Sequence, residues 1–208
     1  MSPDCEIIDT TNALHCVITK IKDESHIAFD TEFLWERTFY AKLALVQIGI
    51  GGGECFLLDP LKIENMTSLG LILADPTITK IFHDAPQDLR ILRRATNSPI
   101  RNVFDTRMAA GFAGMSSSLS LQNLVAEILD IEMAKGHTRS DWMARPLMPE
   151  QVKYAIDDVR YLIMLSQEIR RRTQELGVER WMEAELATFD VHEGYEVAAP
   201  EQQYLRIS

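Results

Sequence analysis

The chain has 208 residues, 46% hydrophobic and 25% charged, which suits one packed core with helices attached. No apolar run approaches the ~20 residues of a membrane span, and the N-terminus lacks a charged-then-apolar signal pattern, so a cytoplasmic protein is expected. A formal net charge of −10 excludes a broad basic surface as the main grip on nucleic acid, while a small or single-stranded substrate held at one end fits.

In chain order, strands are expected at 5–8, 26–32, 42–50 and 54–58, with Gly51-Gly52-Gly53 turning a hairpin between the last two. A helix near 65–74 ends before Asp75-Pro76, and a short strand follows at 80–84. Pro86 stands at a helix start, where its missing N–H costs little, and that helix runs to about Ala95. Another short strand covers 102–106, with Asp105 placed to cap the next helix. Beyond it, segments 106–114, 120–130, 149–173 and 178–188 carry apolar residues at helical spacing. In 149–173, Val152, Ile156, Val159, Tyr161-Leu162 and Leu165 form the core stripe. Residues 134–148 read as a polar loop anchored by Trp142. The pattern predicts an α/β domain over 1–188, with a mixed central sheet flanked by helices and a helical C-terminal part. Residues 189–208 have less periodicity and are expected to be a strap or linker, without an accessory domain.

Cys5, Cys16 and Cys55 cannot all pair and lack zinc-site spacing, which predicts reduced, mostly buried thiols. Positive charge is uneven: Arg90, Arg93 and Arg94 share one predicted helix, Arg101 and Arg107 follow, and Arg170, Arg171 and Arg172 form a second cluster.

The chemistry-bearing residues are acidic. Asp30 and Glu32 follow the apolar run Ile27-Ala28-Phe29, and residues offset by two on a strand project from one face. A carboxylate at the end of a buried strand is costly unless paired or metal-bound. Asp88 is either a further ligand or an exposed first-turn carboxylate favouring a helix N-terminus. Asp158 shares a helical face with Tyr154, four residues earlier, and is a better ligand candidate than its neighbour Asp157. Four oxygen ligands from distant segments suit hard divalent cations, and a two-ion centre cleaving phosphodiesters is the leading reading.

The order of these segments resembles ribonuclease D, of the DEDD 3'-5' exonucleases with Tyr in the third motif. The matching residues are Asp30-Thr31-Glu32-Phe33, Leu43 to Gln47, His83 to Asp88-Leu89, and Ser140-Asp141-Trp142 through Leu162. Ala41, where family members often have Pro, is a departure, and Trp35-Glu36 is a local variation.

The resemblance implies a ribonuclease-H-like exonuclease fold and a metal-dependent 3'-5' exoribonuclease releasing 5'-mononucleotides from RNA 3' ends. It implies two ions, Mg²⁺ or Mn²⁺, ~3.5–4 Å apart. Asp30, Glu32 and Asp158 would hold one, and Asp30 with Asp88 the other. Tyr154 would orient the attacking water or deprotonate it, and orientation with metal activation is the easier role for a phenol whose ordinary pKa is near ~10. Thr31, Phe33 and His83 are the substrate-binding candidates; for Phe33, core packing is the alternative to base stacking, and for His83 a structural hydrogen bond. Lys42 and Arg145 are open to phosphate contact or to surface solvation. The expected partners are single-stranded RNA 3' ends, from tRNA precursors to short oligonucleotides, with DNA as an alternative. A decayed, RNA-binding scaffold would have lost carboxylates, and none is missing.

Overall fold

The computed structural model describes residues 5–35, 40–133 and 140–190. Part of the polar loop, 134–139, and the expected strap beyond Asp190 lie outside the described residues.

Six strands form one mixed sheet in the order β1-β4-β3-β2-β5-β6: β1 Cys5–Ile8, β2 His26–Leu34, β3 Lys42–Gly49, β4 Cys55–Leu58, β5 Thr79–Phe82 and β6 Val103–Asp105. The β2-β3-β4 run is antiparallel, whereas β1 joins β4, and β5 joins β2 and β6, in parallel. Ile27, Ala28 and Phe29 are all fully buried. Three consecutive buried positions mean that both faces of β2 are covered. Phe29 stacks on Phe82 of β5 with ring centroids 5.7 Å apart, a contact worth ~0.5–1.5 kcal/mol beyond burial.

The helices are α1 Thr11–Ile21, α2 Thr67–Ala74, α3 Pro86–Thr96, α4 Thr106–Phe112, α5 Leu121–Leu129, α6 Pro149–Arg160, α7 Leu162–Glu175 and α8 Glu179–Leu186. Helix α1 has no counterpart among the expected elements. Its β-branched residues depress helix propensity, yet Leu14, Val17, Ile18 and Ile21 make a buried stripe at helical spacing. The Thr10 side chain caps it by accepting the Ala13 N–H at 3.2 Å. The expected 149–173 helix is two helices, divided at Tyr161, which caps α6 and precedes α7. This bend lets α6 cross β2, β3 and β4 while α7 lies on β2 and β5. The Gly51–Gly53 hairpin turn is a short 3-10 helix in which Gly52 takes φ 78°.

Lys80 is fully buried on β5, and its ammonium donates to the carbonyls of Asp75 and Ile78 at 2.5 and 2.6 Å. Burial pulls its pKa down to about 8. Phe189 is buried, Arg93 donates to its carbonyl at 3.1 Å, and the Asn102 N–H donates to Asp190 at 3.0 Å. Most other arginines of the two clusters are likewise engaged. Arg101 donates to the Asp190 carbonyl, Arg94 stacks on Tyr40, Arg170 reaches Glu183, and Arg171 and Arg172 share Glu168. Of the three free thiols only Cys55 is buried; Cys16 is exposed, contrary to expectation, because it lies on the outer side of α1.

Candidate active site

Strand β2 places Asp30 opposite Gln47 and Glu32 opposite Leu45 of β3. The register then skips Ala44, since Phe33 pairs with Leu43, so a bulge lies next to Glu32. Helix α6 starts at Pro149, where the Gln151 side chain accepts the Met148 N–H at 2.9 Å. It packs close to β3 because Gly49 has no side chain: a Cβ there would sit 3.0 Å from the Val159 carbonyl oxygen. Tyr154 and Asp158, one turn apart, therefore face the β2 carboxylates.

Asp30, Glu32 and Asp158 each offer a carboxylate oxygen, and these atoms lie within 4.8 Å of one another. Asp88, in the first turn of α3, stands beside this trio rather than within it. It is 6% exposed and accepts a hydrogen bond from the Thr31 hydroxyl. The exposed helix-start alternative for Asp88 therefore does not describe it, although its first-turn position is as expected. Asp157 points elsewhere and pairs with Arg160 at 3.2 Å.

The start of α3 is set by Asp105, whose carboxylate caps α4 as expected by accepting the N–H groups of Arg107 and Met108. The same carboxylate takes the N–H groups of Asp84 and Ala85 at 3.2 and 2.9 Å, joining two helix starts. No sequence signal marks that second use.

The carboxylates sit in unfavourable company. Burial and the neighbouring negative charges of Asp88, Asp158 and Glu32 push Asp30 well above the usual carboxylate range. Burial, then Asp158 and Asp88, raise Glu32 to about 8. Burial raises Asp88 and Asp158 to about 7, against the lowering effect of hydrogen bonds from Thr31 and Tyr154 respectively. The charges acting on Asp30 and Glu32 are all negative. A crowded oxygen donor set of this kind fits a hard divalent cation. Gln47, fully buried opposite Asp30, has neither amide atom hydrogen-bonded among the described residues.

Burial and the surrounding carboxylates raise the Tyr154 phenol, which donates to Asp158, far above its ordinary value. The phenol therefore stays protonated. The Tyr154 ring lies against Trp142, with centroids 5.9 Å apart.

A cleft of about 430 Å³ opens over the site, lined by Asp30, Tyr154 and Asp158 together with His83, Arg107 and residues 118–122. His83 bonds through both ring nitrogens, to the Thr106 hydroxyl at 3.0 Å and the Leu119 carbonyl at 3.2 Å, so the structural role left open for it is met. Burial lowers its pKa and favours the neutral ring. Thr31 is 5% exposed with its hydroxyl committed to Asp88, while Phe33 is half-buried beside the bulge. Arg107, which the sequence marks only as one charge of a cluster, pairs with Asp84 at the cleft lining. Lys42 is exposed. Arg145 is committed within the fold rather than held by solvent alone: half-buried, it pairs with the buried Asp59 at 2.7 Å.

The sequence model of the 3'-5' exonuclease family matches residues 5–174. Ribonuclease D of Desulfotalea psychrophila is 42% identical over 97% of this chain and 54% of its own length. The crystal structure of Escherichia coli RNase D, described as an exoribonuclease involved in structured RNA processing, superposes with a TM-score of 0.89 at 32% identity, covering 100% of this chain and 54% of that one. Brucella melitensis NrnC bound to pGG superposes with a TM-score of 0.79 at 28% identity over 91% of both chains, and NrnC is also solved with bound Mg²⁺. This chain thus spans about half the length of the ribonuclease D relatives it matches. With the mixed sheet, the carboxylates and the family match over residues 5–174 in agreement, the chain belongs to the 3'-5' exonuclease family.

Proposed function

We propose that the protein is a metal-dependent 3'-5' exoribonuclease that removes 5'-mononucleotides from single-stranded RNA ends. The observation that carries this reading is the convergence of Asp30, Glu32 and Asp158 oxygens within 4.8 Å, with Asp88 alongside, under an open cleft. Asp30, Glu32 and Asp158 would hold one divalent ion, and Asp30 with Asp88 a second. Bound there, Mg²⁺ or Mn²⁺ would make water a stronger nucleophile and offset charge on the attacked phosphate.

The chain's own groups do the positioning. Tyr154, protonated and fixed by Asp158, presents its hydroxyl to the attacking water; it orients that water and does not deprotonate it. Hydrolysis joins the water oxygen to phosphorus and releases the 3'-hydroxyl of the shortened chain. Thr31 acts by holding Asp88. Phe33, at the bulge beside Glu32, is the candidate surface for the terminal base. His83 shapes the cleft by pinning Leu119. Residues 1–188 form the catalytic domain in this reading and 189–208 a strap, in a cytoplasmic enzyme with reduced thiols.

Incubation with Mn²⁺ and RNA labelled at either end tests the assignment: label from the 3' end should appear first, as mononucleotide. Release from the 5' end first, or an unchanged rate in Asp30→Ala, would sink it. A second reading, a nuclease of very short oligonucleotides, draws on NrnC, which matches this chain nearly end to end and is solved with pGG. Rates on dinucleotides against longer RNA, with matched DNA as a third arm, separate the two.

A further inference from the structure

One arginine fixes the segment that leads into α6. Arg145 donates from Nε to Asp59 Oδ2 at 2.7 Å and from Nη2 to Asp59 Oδ1 at 2.8 Å. Nη1 donates to the carbonyls of Trp142 and Ala144, both at 2.8 Å, and Nη2 also reaches the Ala44 carbonyl at 2.7 Å. Every guanidinium N–H thus has an acceptor, a set that the single nitrogen of lysine cannot match. Asp59, at the end of β4, is 2% exposed and also accepts the Leu61 N–H at 3.1 Å.

A pair that buries its carboxylate and half-buries its guanidinium is weak support for stability, because desolvation offsets much of the attraction. Its geometry is what stands out. Ala44 is the residue skipped by the register beside Glu32. Trp142, whose carbonyl Arg145 holds, is 5% exposed and lies against the Tyr154 ring at 5.9 Å and 41°. Trp142, Ala44, Leu45, Leu57 and Ala155 form a small cluster apart from the main core, with Tyr154 on its flank. None of Asp59, Trp142 and Arg145 lines the cleft.

We propose that the Asp59–Arg145 ion pair is a positioning device for Tyr154, acting through Trp142. It holds the phenol hydroxyl in one place over Asp158 and so governs the rate of hydrolysis rather than substrate affinity. This inference rests on the water-orienting role given to Tyr154 above.

The test measures Arg145→Lys, Asp59→Asn and Trp142→Phe alone and combined with Tyr154→Phe. Single-turnover RNA cleavage with Mn²⁺ is followed for each, together with melting temperature and Mn²⁺ binding. The single variants should cleave on the order of 10- to 100-fold more slowly with KM little changed, the scale expected when a catalytic group shifts by ~1 Å. In the Tyr154→Phe background the same substitutions should lose most of their effect, because members of one unit are not additive. A full further loss in that background, a change confined to KM, or an unchanged rate would overturn the proposal. Asp59→Asn keeps the volume and one acceptor oxygen, so the cycle remains measurable should Arg145→Lys fold poorly. An unaltered rate in Tyr154→Phe alone would overturn the reading of Tyr154, and the proposal with it.

Discussion

The Thr31 hydroxyl donates to the Asp88 carboxylate across 57 residues of chain, tying the strand that carries Asp30 and Glu32 to the start of α3. Thr31→Val keeps the shape and removes the donor. That leaves Asp88 buried with one partner fewer and pushes its pKa further above about 7. Turnover should fall by about tenfold, equivalent to ~1.4 kcal/mol, and Mn²⁺ titration should show weaker binding. Thr31→Ser should retain both. Unchanged rate and unchanged Mn²⁺ affinity in the valine variant would remove Thr31 from the site.

Metal-free protein should lose stability as pH rises. Asp88 and Asp158 go from 3.8 to about 7 and Glu32 from 4.5 to about 8 on folding. Between those limits the folded chain holds protons that the unfolded chain has released, so stability declines with pH until the folded groups ionise. Divalent ions need the ionised carboxylates, so the thermal shift they produce should grow over the same interval. Melting curves with EDTA and with Mn²⁺, from about pH 6 to 8, check both signs. A metal-free melting temperature that climbs with pH would contradict the arrangement.

Asp158→Asn should abolish cleavage while raising the metal-free melting temperature at neutral pH. The amide still accepts from Tyr154 but removes one of the like charges that raise Asp30 and Glu32. Loss of function with gain of stability is the pattern expected where a site concentrates repulsion. A lower melting temperature would show that Asp158 serves the fold instead.

Gly49→Ala tests the close approach of α6 to the sheet. The added Cβ would meet the Val159 carbonyl oxygen at 3.0 Å and the Val159 Cβ at 3.2 Å. Displacing α6 should cost about 1–3 kcal/mol in urea unfolding, and it should slow cleavage because Asp158 neighbours Val159. Unchanged unfolding would mean that the helix shifts without strain.

The local half of the site is legible in the sequence. Strand alternation puts Asp30 and Glu32 on one face, helical spacing aligns Tyr154 with Asp158, and Asp105 after a short strand reads as a cap. What escapes is any relation carried across the fold. Thr31 with Asp88 and Arg145 with Asp59 are 57 and 86 residues apart, and no local pattern distinguishes Arg145 from a solvated arginine. Helix α1 escapes because its buried stripe is built from residues that favour strands. The division at Tyr161 escapes because the apolar stripe continues through it.

The engagement of the arginines has a consequence for ionic strength. Arg93 and Arg101 bond to carbonyls, and Arg107, Arg145, Arg160, Arg170, Arg171 and Arg172 each bond to a carboxylate of the same protein. A single strand docking here as proposed would release few of its counterions through these side chains, which already have partners. Each phosphate neutralised by a cation adds only ~0.7 to the steepness with which single-strand affinity falls against salt. Capture of the 3' end should therefore stay nearly level from ~50 to ~200 mM salt, where a charge-driven binder loses orders of magnitude.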